Sequence, residues 1–391
     1  MIHKHTGIVI LGAGVAGLTS AIALHQKGFS KITIYERRET ATTLGAGLVL
    51  WANASKILHK LNLLSEVAKL AGEIYEMQRW TQKGTHLGTI DVQDINKGIG
   101  SKSYAISRFD FQQILLKKIA ELHIPIRYSH SVLDLVTQET SVTVIFENQA
   151  SVNASILIGA DGRMNSIARK YVNRENTPVY QNFVNWIGII ESEQPIFTEH
   201  HVLDFWGCGE RFGIVPITKY KGYWAGGKSL PRNSPLKQKN NKTELLKIFS
   251  SWSPKIKQVI EGTKEQDIRY LEVFDHHPIS NWFRNNVCLI GDSAHAALPT
   301  SGQGACQAIE DAWHLAAQLS SAHTLEKAFS QFQKIRFPKT TAITMAGREL
   351  GHSLFNPDPE WCQQRNENAM HADNRITSQN IAQLWSKDLP Q

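Results

Sequence analysis

The sequence predicts an α/β fold in which a parallel sheet is interrupted by a mainly antiparallel one and followed by a helical C-terminal segment. Three observations carry that expectation. Gly12-Ala13-Gly14-Val15-Ala16-Gly17 follows a short apolar run and precedes a helical pattern. Residues 178–275 gather Trp186, Phe205, Trp206, Phe212, Tyr223 and Trp224 among β-branched residues and glycines, the composition of an antiparallel sheet. Far downstream, Leu289-Ile290-Gly291-Asp292-Ser293-Ala294-His295 runs on to Pro299 and Gly302-Gln303-Gly304-Ala305 and resumes a nucleotide-binding pattern.

Taken in order, residues 7–11 read as a strand, 15–27 carry helical periodicity ended by Gly28, and 31–35 form a second strand closing on Glu36. An amphipathic helical stretch follows at 52–70, then short strands over 74–91 divided at Lys83-Gly84. A helix beginning near Asp110 leads to strand-like runs at 124–128, 132–137 and 141–147, the last two suggesting a meander. Residues 156–160 are another buried strand, ending at Asp161-Gly162. A basic linker at 232–242 precedes a helix around 243–261, residues 287–290 form a strand, and a helix follows Gly302. The expected boundaries are 1–73, 101–177 and 276–340 for the nucleotide-binding parts, 74–100 and 178–275 for the sheet, and 341–391 for C-terminal helices.

The 391 residues are 42% hydrophobic and 20% charged, as in an ordinary globular protein. The net charge of +7 is dispersed, and no Lys/Arg run, helix-turn-helix or zinc-finger spacing accompanies it, so nucleic acid is not an expected partner. Cys208, Cys288, Cys306 and Cys362 are too scattered for a disulfide framework or a Cys-x-x-Cys metal site, and a reduced, cytoplasmic setting is expected. Residues 8–24 are apolar enough for a signal-peptide core, but their glycines stand in strand-turn-helix order. No run reaches the length of a membrane span. Adjacent side chains on a strand point to opposite faces, so neither His200-His201 nor His276-His277 suggests a metal.

In the first turn, Gly12 permits the tight bend, Gly14 lets backbone approach a pyrophosphate, and Gly17 lets the helix pack on the strand. The helix N-terminus then offers free N–H groups and partial positive charge to the phosphates. Glu36, nineteen residues beyond Gly17, is placed to accept ribose hydroxyls and disfavours a 2′-phosphate. Downstream, Asp292 is placed to hold a ribityl hydroxyl while Gly291 lets the cofactor lie against the backbone. The helix after Gly302-Gln303-Gly304-Ala305 aims its N-terminus at the pyrimidine edge of an isoalloxazine, which is negative when reduced. Two glycine turns serving one bent dinucleotide point to FAD. The bland alternatives are a chance glycine-rich turn and an ordinary helix cap with Asp292 as a turn residue. His295 reads as a residue that orients its loop, with a catalytic role as the alternative.

Gly-x-Gly-x-x-Gly with Glu36, Asp161-Gly162, and Gly291-Asp292 through Gly302-Gln303-Gly304 resemble the single-component FAD-dependent aromatic hydroxylases, flavoprotein monooxygenases of the p-hydroxybenzoate hydroxylase fold. The resemblance spans residues 6–350. It implies a Rossmann-like, glutathione-reductase-type FAD domain with the antiparallel sheet inserted as a substrate domain. NADH or NADPH is then a transient co-substrate without a Rossmann unit of its own. Cofactor contacts are implied at Ala16, Arg37, Gly47, Val49 and Arg108, at Val132 and Asp161, and at Pro299, Gln303 and Cys306.

Gly45-Ala46-Gly47-Leu48-Val49-Leu50-Trp51-Ala52-Asn53 resembles the salicylate and urate hydroxylase branch, with Ala52 where a proline is usual. Asn182-Phe183-Val184-Asn185-Trp186, Arg211-Phe212-Gly213 and Tyr223-Trp224 are similar to the urate-hydroxylase members. Arg211 and Tyr223, twelve residues apart, fall where those members contact substrate. A cation plus a phenol suits an anionic or enolic aromatic ring, and packing on the sheet face is the other reading of both. Ser166 and Arg169 stand one residue further from Asp161-Gly162 than the family spacing, which bears on Arg169 as a nicotinamide-side contact. Trp186-Ile187-Gly188-Ile189 is not the flavin-halogenase signature.

The implied activity is NAD(P)H- and O2-dependent hydroxylation of a small electron-rich aromatic or heteroaromatic substrate by a monomer or homodimer. Tyr223 and His295 are the candidates for moving a proton. Inactivation of a tetracycline-type antibiotic, FAD-dependent reduction of an isoprenoid or lipid, and a non-catalytic flavin-binding redox partner are the alternatives.

Overall fold

The computed structural model describes residues 1–41, 46–232 and 241–391. Ile8–Leu11 lies inside a six-stranded sheet and is buried at every position. A strand with no solvent face requires apolar residues throughout, which Ile-Val-Ile-Leu supplies. It pairs in parallel with Ile32–Tyr35 on one side and Ile156–Gly159 on the other. Val287–Leu289 extends the sheet beyond Ile156–Gly159, and Phe283–Arg284 closes that edge antiparallel. Ile126–Arg127 closes the opposite edge. Three distant parts of the chain therefore share one core. Val15–Gln26 packs across this sheet against the helix Gly304–Ser321.

The meander is Val132–Thr137, Val142–Phe146 and Ser151–Ala154. The aromatic-rich region forms a seven-stranded sheet in the order Arg269–Asp275, Val179–Glu191, Lys221–Ser229, Glu210–Pro216, His201–Trp206, Glu76–Thr81 and His86–Asp91. Its pairs are antiparallel except His201–Trp206 with Glu76–Thr81. One face carries Trp186, Phe212, Ile214 and Trp224 into a core with Leu245 and Ile256 from two covering helices and Phe249 and Trp252 from the turn between them. The opposite face meets the nucleotide-binding layer.

Several elements differ from the sequence expectation. The stretch 52–70 is two helices, Ala52–Lys60 and Leu64–Leu70, parted where Asn62 takes φ +56°. The helix expected around 243–261 is also two, Asn241–Ile248 and Pro254–Gly262; Pro254 starts the second, where its missing N–H costs nothing, and Ser253 caps it. A small antiparallel sheet of Gly47–Leu50, Tyr104–Ser107 and Gly72–Glu73 was not foreseen. The boundary expected at 340 falls inside one continuous helix, Leu325–Leu354. Pro359–His371 and Asn374–Ser386 complete the chain as helices. Gly45 and most of the basic linker lie outside the described residues. Among the described residues no helix is long and apolar enough to cross a membrane.

Candidate active site

The first glycine turn is pressed onto the end of the neighbouring strand. A Cβ on Gly12, where φ is +103°, would fall 2.4 Å from the Ala160 carbonyl oxygen, and one on Gly17 would fall 1.9 Å from the Gly12 oxygen. Neither place has room for a side chain. Gly14, between them, faces open space. A Cβ on Gly291 would meet the Ala16 Cβ at 2.9 Å, so the second glycine turn sits on the first helix. Gly304 also faces open space. Two bare helix starts are thus brought into one neighbourhood, the geometry needed to receive a long phosphorylated ligand.

Glu36 is 7% exposed, and its carboxylate accepts hydrogen bonds from the Ala13 amide at 2.8 Å and the Arg38 amide at 3.0 Å. It braces the turn as well as lining a cavity of about 40 Å³ with Gly14, Arg38, Arg108 and Gln112. Because the Arg38 amide folds back onto Glu36, Arg38 shares this cavity, while Arg37 is exposed outside its lining. Arg37, expected to contact the cofactor, lies outside this lining, whereas Arg38 and Gln112, which the sequence does not single out, are part of it. Val132 follows a turn in which the Ser129 and His130 amides donate to the Arg38 and Glu36 carbonyls.

Arg108 follows Ser107, which caps its helix by accepting from the Asp110 amide at 3.0 Å. Its guanidinium stands open to the cleft, and among the described residues it takes no hydrogen bond or ion pair. Crowding by the cleft walls lowers its pKa, Asp292 opposes that shift, and Arg163 and Arg38 add to it. Asp292 lies 3.5 Å from Arg163. Arg108, Arg163 and Arg38 thus outnumber the carboxylates of Asp292 and Glu36 along this cleft and leave it positive, suited to a pyrophosphate. The open glycines and the unpartnered Arg108 fit FAD.

Other predicted positions are committed within the protein. The Asp161 carboxylate accepts from the Ser166 hydroxyl at 2.6 Å and the Ala168 amide at 3.1 Å, anchoring the helix Ile167–Asn173. Burial raises its pKa and these bonds oppose the rise. Arg169 is 1% exposed and donates to the Ser293 and Ala294 carbonyls, so it holds the loop after Asp292 rather than facing a nicotinamide. His295 is buried with Nε2 2.5 Å from Asp311 and its ring 5.2 Å from that of Trp282, an arrangement that orients the loop. Asp311 also accepts from the Gly291 amide and from Arg336, both at 2.8 Å. Burial pushes its pKa up, but His295 and Arg336 outweigh burial and hold it at about 2.

The second turn leads through Pro299–Ser301 to Gly302, with φ +61°, and into the helix that begins with Gly304 and Ala305. The Gln303 side chain is buried and accepts from Asn53 and from Gln307, both at 2.9 Å. Asn53 also donates to Glu310 at 2.7 Å, and Glu310 pairs with Arg336 and Lys339, all fully buried. This network was invisible in the sequence; its one signal is the charged run on the inner side of a helix that reads as apolar. Cys306 points its thiol at the Val49 carbonyl at 3.5 Å, and burial pushes its pKa up to about 12, so the thiol is neutral and turned into the packing.

The strand Gly47–Leu50 meets the seven-stranded sheet at Tyr223. A Cβ on Gly47 would fall 1.8 Å from the Tyr223 ring, so the phenol lies against this strand. Tyr223 and Arg211 occupy one face of adjacent strands, across the registers Val215↔Tyr223 and Arg211↔Gly227. Gly213 and Ala225 form the pair between them, and Gly213 has only a backbone oxygen at 4.0 Å from its Cβ position. The four-residue offset leaves roughly 13 Å along the strand. Arg211 is held by Asp204 through Nε at 2.6 Å and Nη2 at 3.1 Å, and its Nη1 takes no partner among the described residues. Burial raises the Tyr223 pKa, with Arg211 opposing, so the hydroxyl remains protonated. Among the described residues no group of His, Cys, Asp or Glu is arranged to hold a metal ion.

Comparison with known proteins agrees with this geometry. The family profile described as an FAD binding domain matches residues 5–335. The aurachin C monooxygenase/isomerase of Stigmatella aurantiaca is 28% identical over 88% of this chain and 89% of its own. The FAD-dependent urate hydroxylase of Mycolicibacterium vanbaalenii is 27% identical over 90% of both chains. Among solved structures, Klebsiella pneumoniae HpxO complexed with FAD and uric acid superposes with a TM-score of 0.90 at 22% identity, over 98% of both chains, and shares the fold. The chain belongs to the FAD-binding-domain family of flavoprotein monooxygenases.

Proposed function

We propose that this chain hydroxylates a small electron-rich aromatic or heteroaromatic compound with NADH or NADPH and O2, on the sheet face between Tyr223 and Arg211. The observation that carries the reading is the open floor of Gly213 and Ala225 between two donors without a partner among the described residues, the Tyr223 hydroxyl and Arg211 Nη1. FAD supplies electron transfer from the nicotinamide and activation of oxygen. The chain's part is placement, charge and exclusion of water.

Gly14 and Gly304 leave room for the cofactor's backbone approach, and the helices behind them direct partial positive charge at its phosphates and its ring. Arg108, Arg38 and Arg163 neutralise the pyrophosphate, while Glu36 and Asp292 take the sugar hydroxyls. Tyr223 donates a hydrogen bond to a substrate oxygen rather than removing a proton, because its raised pKa keeps it neutral. Arg211 positions a second acceptor oxygen with Nη1, and Asp204 holds the guanidinium plane while offsetting most of its charge. The ring best served carries two acceptor oxygens and little net charge.

The experiment is a screen of NAD(P)H oxidation by the FAD-loaded protein against aromatic acids, urate and tetracyclines, with hydrogen peroxide and hydroxylated product both measured. The expected result is product formation from a compact oxygenated ring. Turnover confined to bulky polycycles, or stimulation that yields peroxide alone with every ring, overturns the reading.

A further inference from the structure

The last helix, Asn374–Ser386, packs on the outer edge of the seven-stranded sheet, on the helix Val92–Ile99 and on Trp51. At its start, Asn374 accepts from Arg79 of the seven-stranded sheet at 3.3 Å and lies 2.8 Å from the Cβ position of Gly88. Further along, the Ala382 Cβ is 2.9 Å from the Cβ position of Gly98. Small residues at 88 and 98 let this helix seat closely. Near its end, Trp385 packs on Trp51 with ring centroids 5.1 Å apart. Trp51 in turn places its indole nitrogen 3.0 Å from the Cβ position of Gly302. That nitrogen is buried with no partner among the described residues, so the ring is held there by packing.

A polar route reaches the neighbouring residue. Lys339 donates to the carbonyls of Trp385 at 2.6 Å and Lys387 at 2.9 Å, and to Glu310 at 2.8 Å. Glu310 accepts from Asn53 at 2.7 Å, and Asn53 donates to Gln303 at 2.9 Å. Two independent chains of contact thus run from Trp385 to Gly302 and to Gln303, adjacent residues of the loop that starts the Gly304 helix. We propose that Trp385 is a positioning residue for this loop, so that docking of the last helix sets the geometry of the flavin-binding segment 299–305. The proposal rests on the assignment of that segment to FAD. Trp385 itself touches no reacting atom.

The full chain is compared with Trp385→Ala and Trp385→Phe by hydrogen exchange of FAD-free protein, by FAD titration through fluorescence quenching, and by peroxide formed per NAD(P)H. Loss of the aromatic pair and of its packing predicts exchange over 300–306 and an FAD Kd both raised about tenfold by the alanine variant. The phenylalanine variant stays within about twofold of the parent. Exchange in Ile8–Leu11 and Ile156–Gly159 stays at the parent rate, because the helix packs chiefly on Val92–Ile99 and His86–Asp91. Unchanged loop exchange with unchanged FAD affinity overturns the proposal, and so does a uniform rise over all peptides, which is plain destabilisation. If the alanine variant does not fold, Trp385→Leu and Trp51→Phe are read in the same way. A parent that refuses FAD defeats the cofactor assignment instead, and the FAD-free exchange still decides whether Trp385 orders the loop.

Discussion

The Cβ position of Gly291 lies 2.9 Å from the Cβ of Ala16, so the second glycine turn rests directly on the first turn of the first helix. Residues nearly three hundred positions apart are thereby in van der Waals contact. The backbone at Gly291 has φ +56°, which a side chain tolerates poorly. Gly291→Ala is expected to force the two turns apart, costing about 2 kcal/mol and at least about tenfold in FAD affinity. Urea midpoints and a flavin titration check this; a variant binding FAD like the parent counts against it.

Arg336 is fully buried and bound to both Glu310 and Asp311. Arg336→Met leaves two buried carboxylates facing one lysine and one histidine. The expected loss is about 3–5 kcal/mol of folding stability, read from denaturant unfolding. A loss below about 1 kcal/mol means that the carboxylates are neutralised by other means.

Acid sensitivity should trace to His314. Burial, and then Arg336, lower its pKa from 6.5 to about 4 in the folded protein. A depressed folded pKa means the unfolded chain binds the proton first. Its contribution is whole above pH 6.5 and is lost as pH falls toward about 4, on the order of 3 kcal/mol. His314→Gln is expected to flatten the Tm profile in that window. Asp311, held at about 2, titrates below it, so a profile unchanged by the substitution removes His314 from the account.

Tyr223→Phe removes a donor and keeps the ring against Gly47. Product formation is expected to fall about 10- to 100-fold in kcat/KM with a larger peroxide fraction. Since burial raises the phenol's pKa, the parent's pH profile carries no tyrosine limb near neutrality. A neutral limb that disappears in the phenylalanine variant shows that the residue is a base after all.

Arg108→Gln tests the unpartnered guanidinium. FAD affinity should fall about tenfold with a shallower salt dependence, while unfolding is little moved, because no hydrogen bond or ion pair of the guanidinium within the described residues is lost. Equal affinity at low and high salt in parent and variant argues that the group faces solvent rather than phosphate.

Much of the parallel core was legible because its cues are local. A four-residue apolar run before Gly12, and Glu36 after a second strand, each constrain only their own neighbourhood. The strand Gly47–Leu50 was not legible, since its partner Tyr104–Ser107 lies far along the chain and pairing leaves no periodic trace in so short a segment. The break between the helices Ala52–Lys60 and Leu64–Leu70 was hidden for a different reason. Asn62 takes a left-handed conformation that other residues around it do not announce.

By itself the sequence determined two glycine turns, an acidic strand end and an aromatic-rich sheet, because backbone clearance and side-chain pattern are properties of adjacent residues. Only the tertiary structure decided which polar groups remain free. It spends Asp161, Arg169 and His295 on the protein's own amides, carbonyls and carboxylates, and among the described residues it leaves the polar ends of Arg108 and Tyr223 and one nitrogen of Arg211 open. Hydrogen-bond capacity is finite, and whether a group is spent depends on partners brought near by folding, not on its neighbours in the chain.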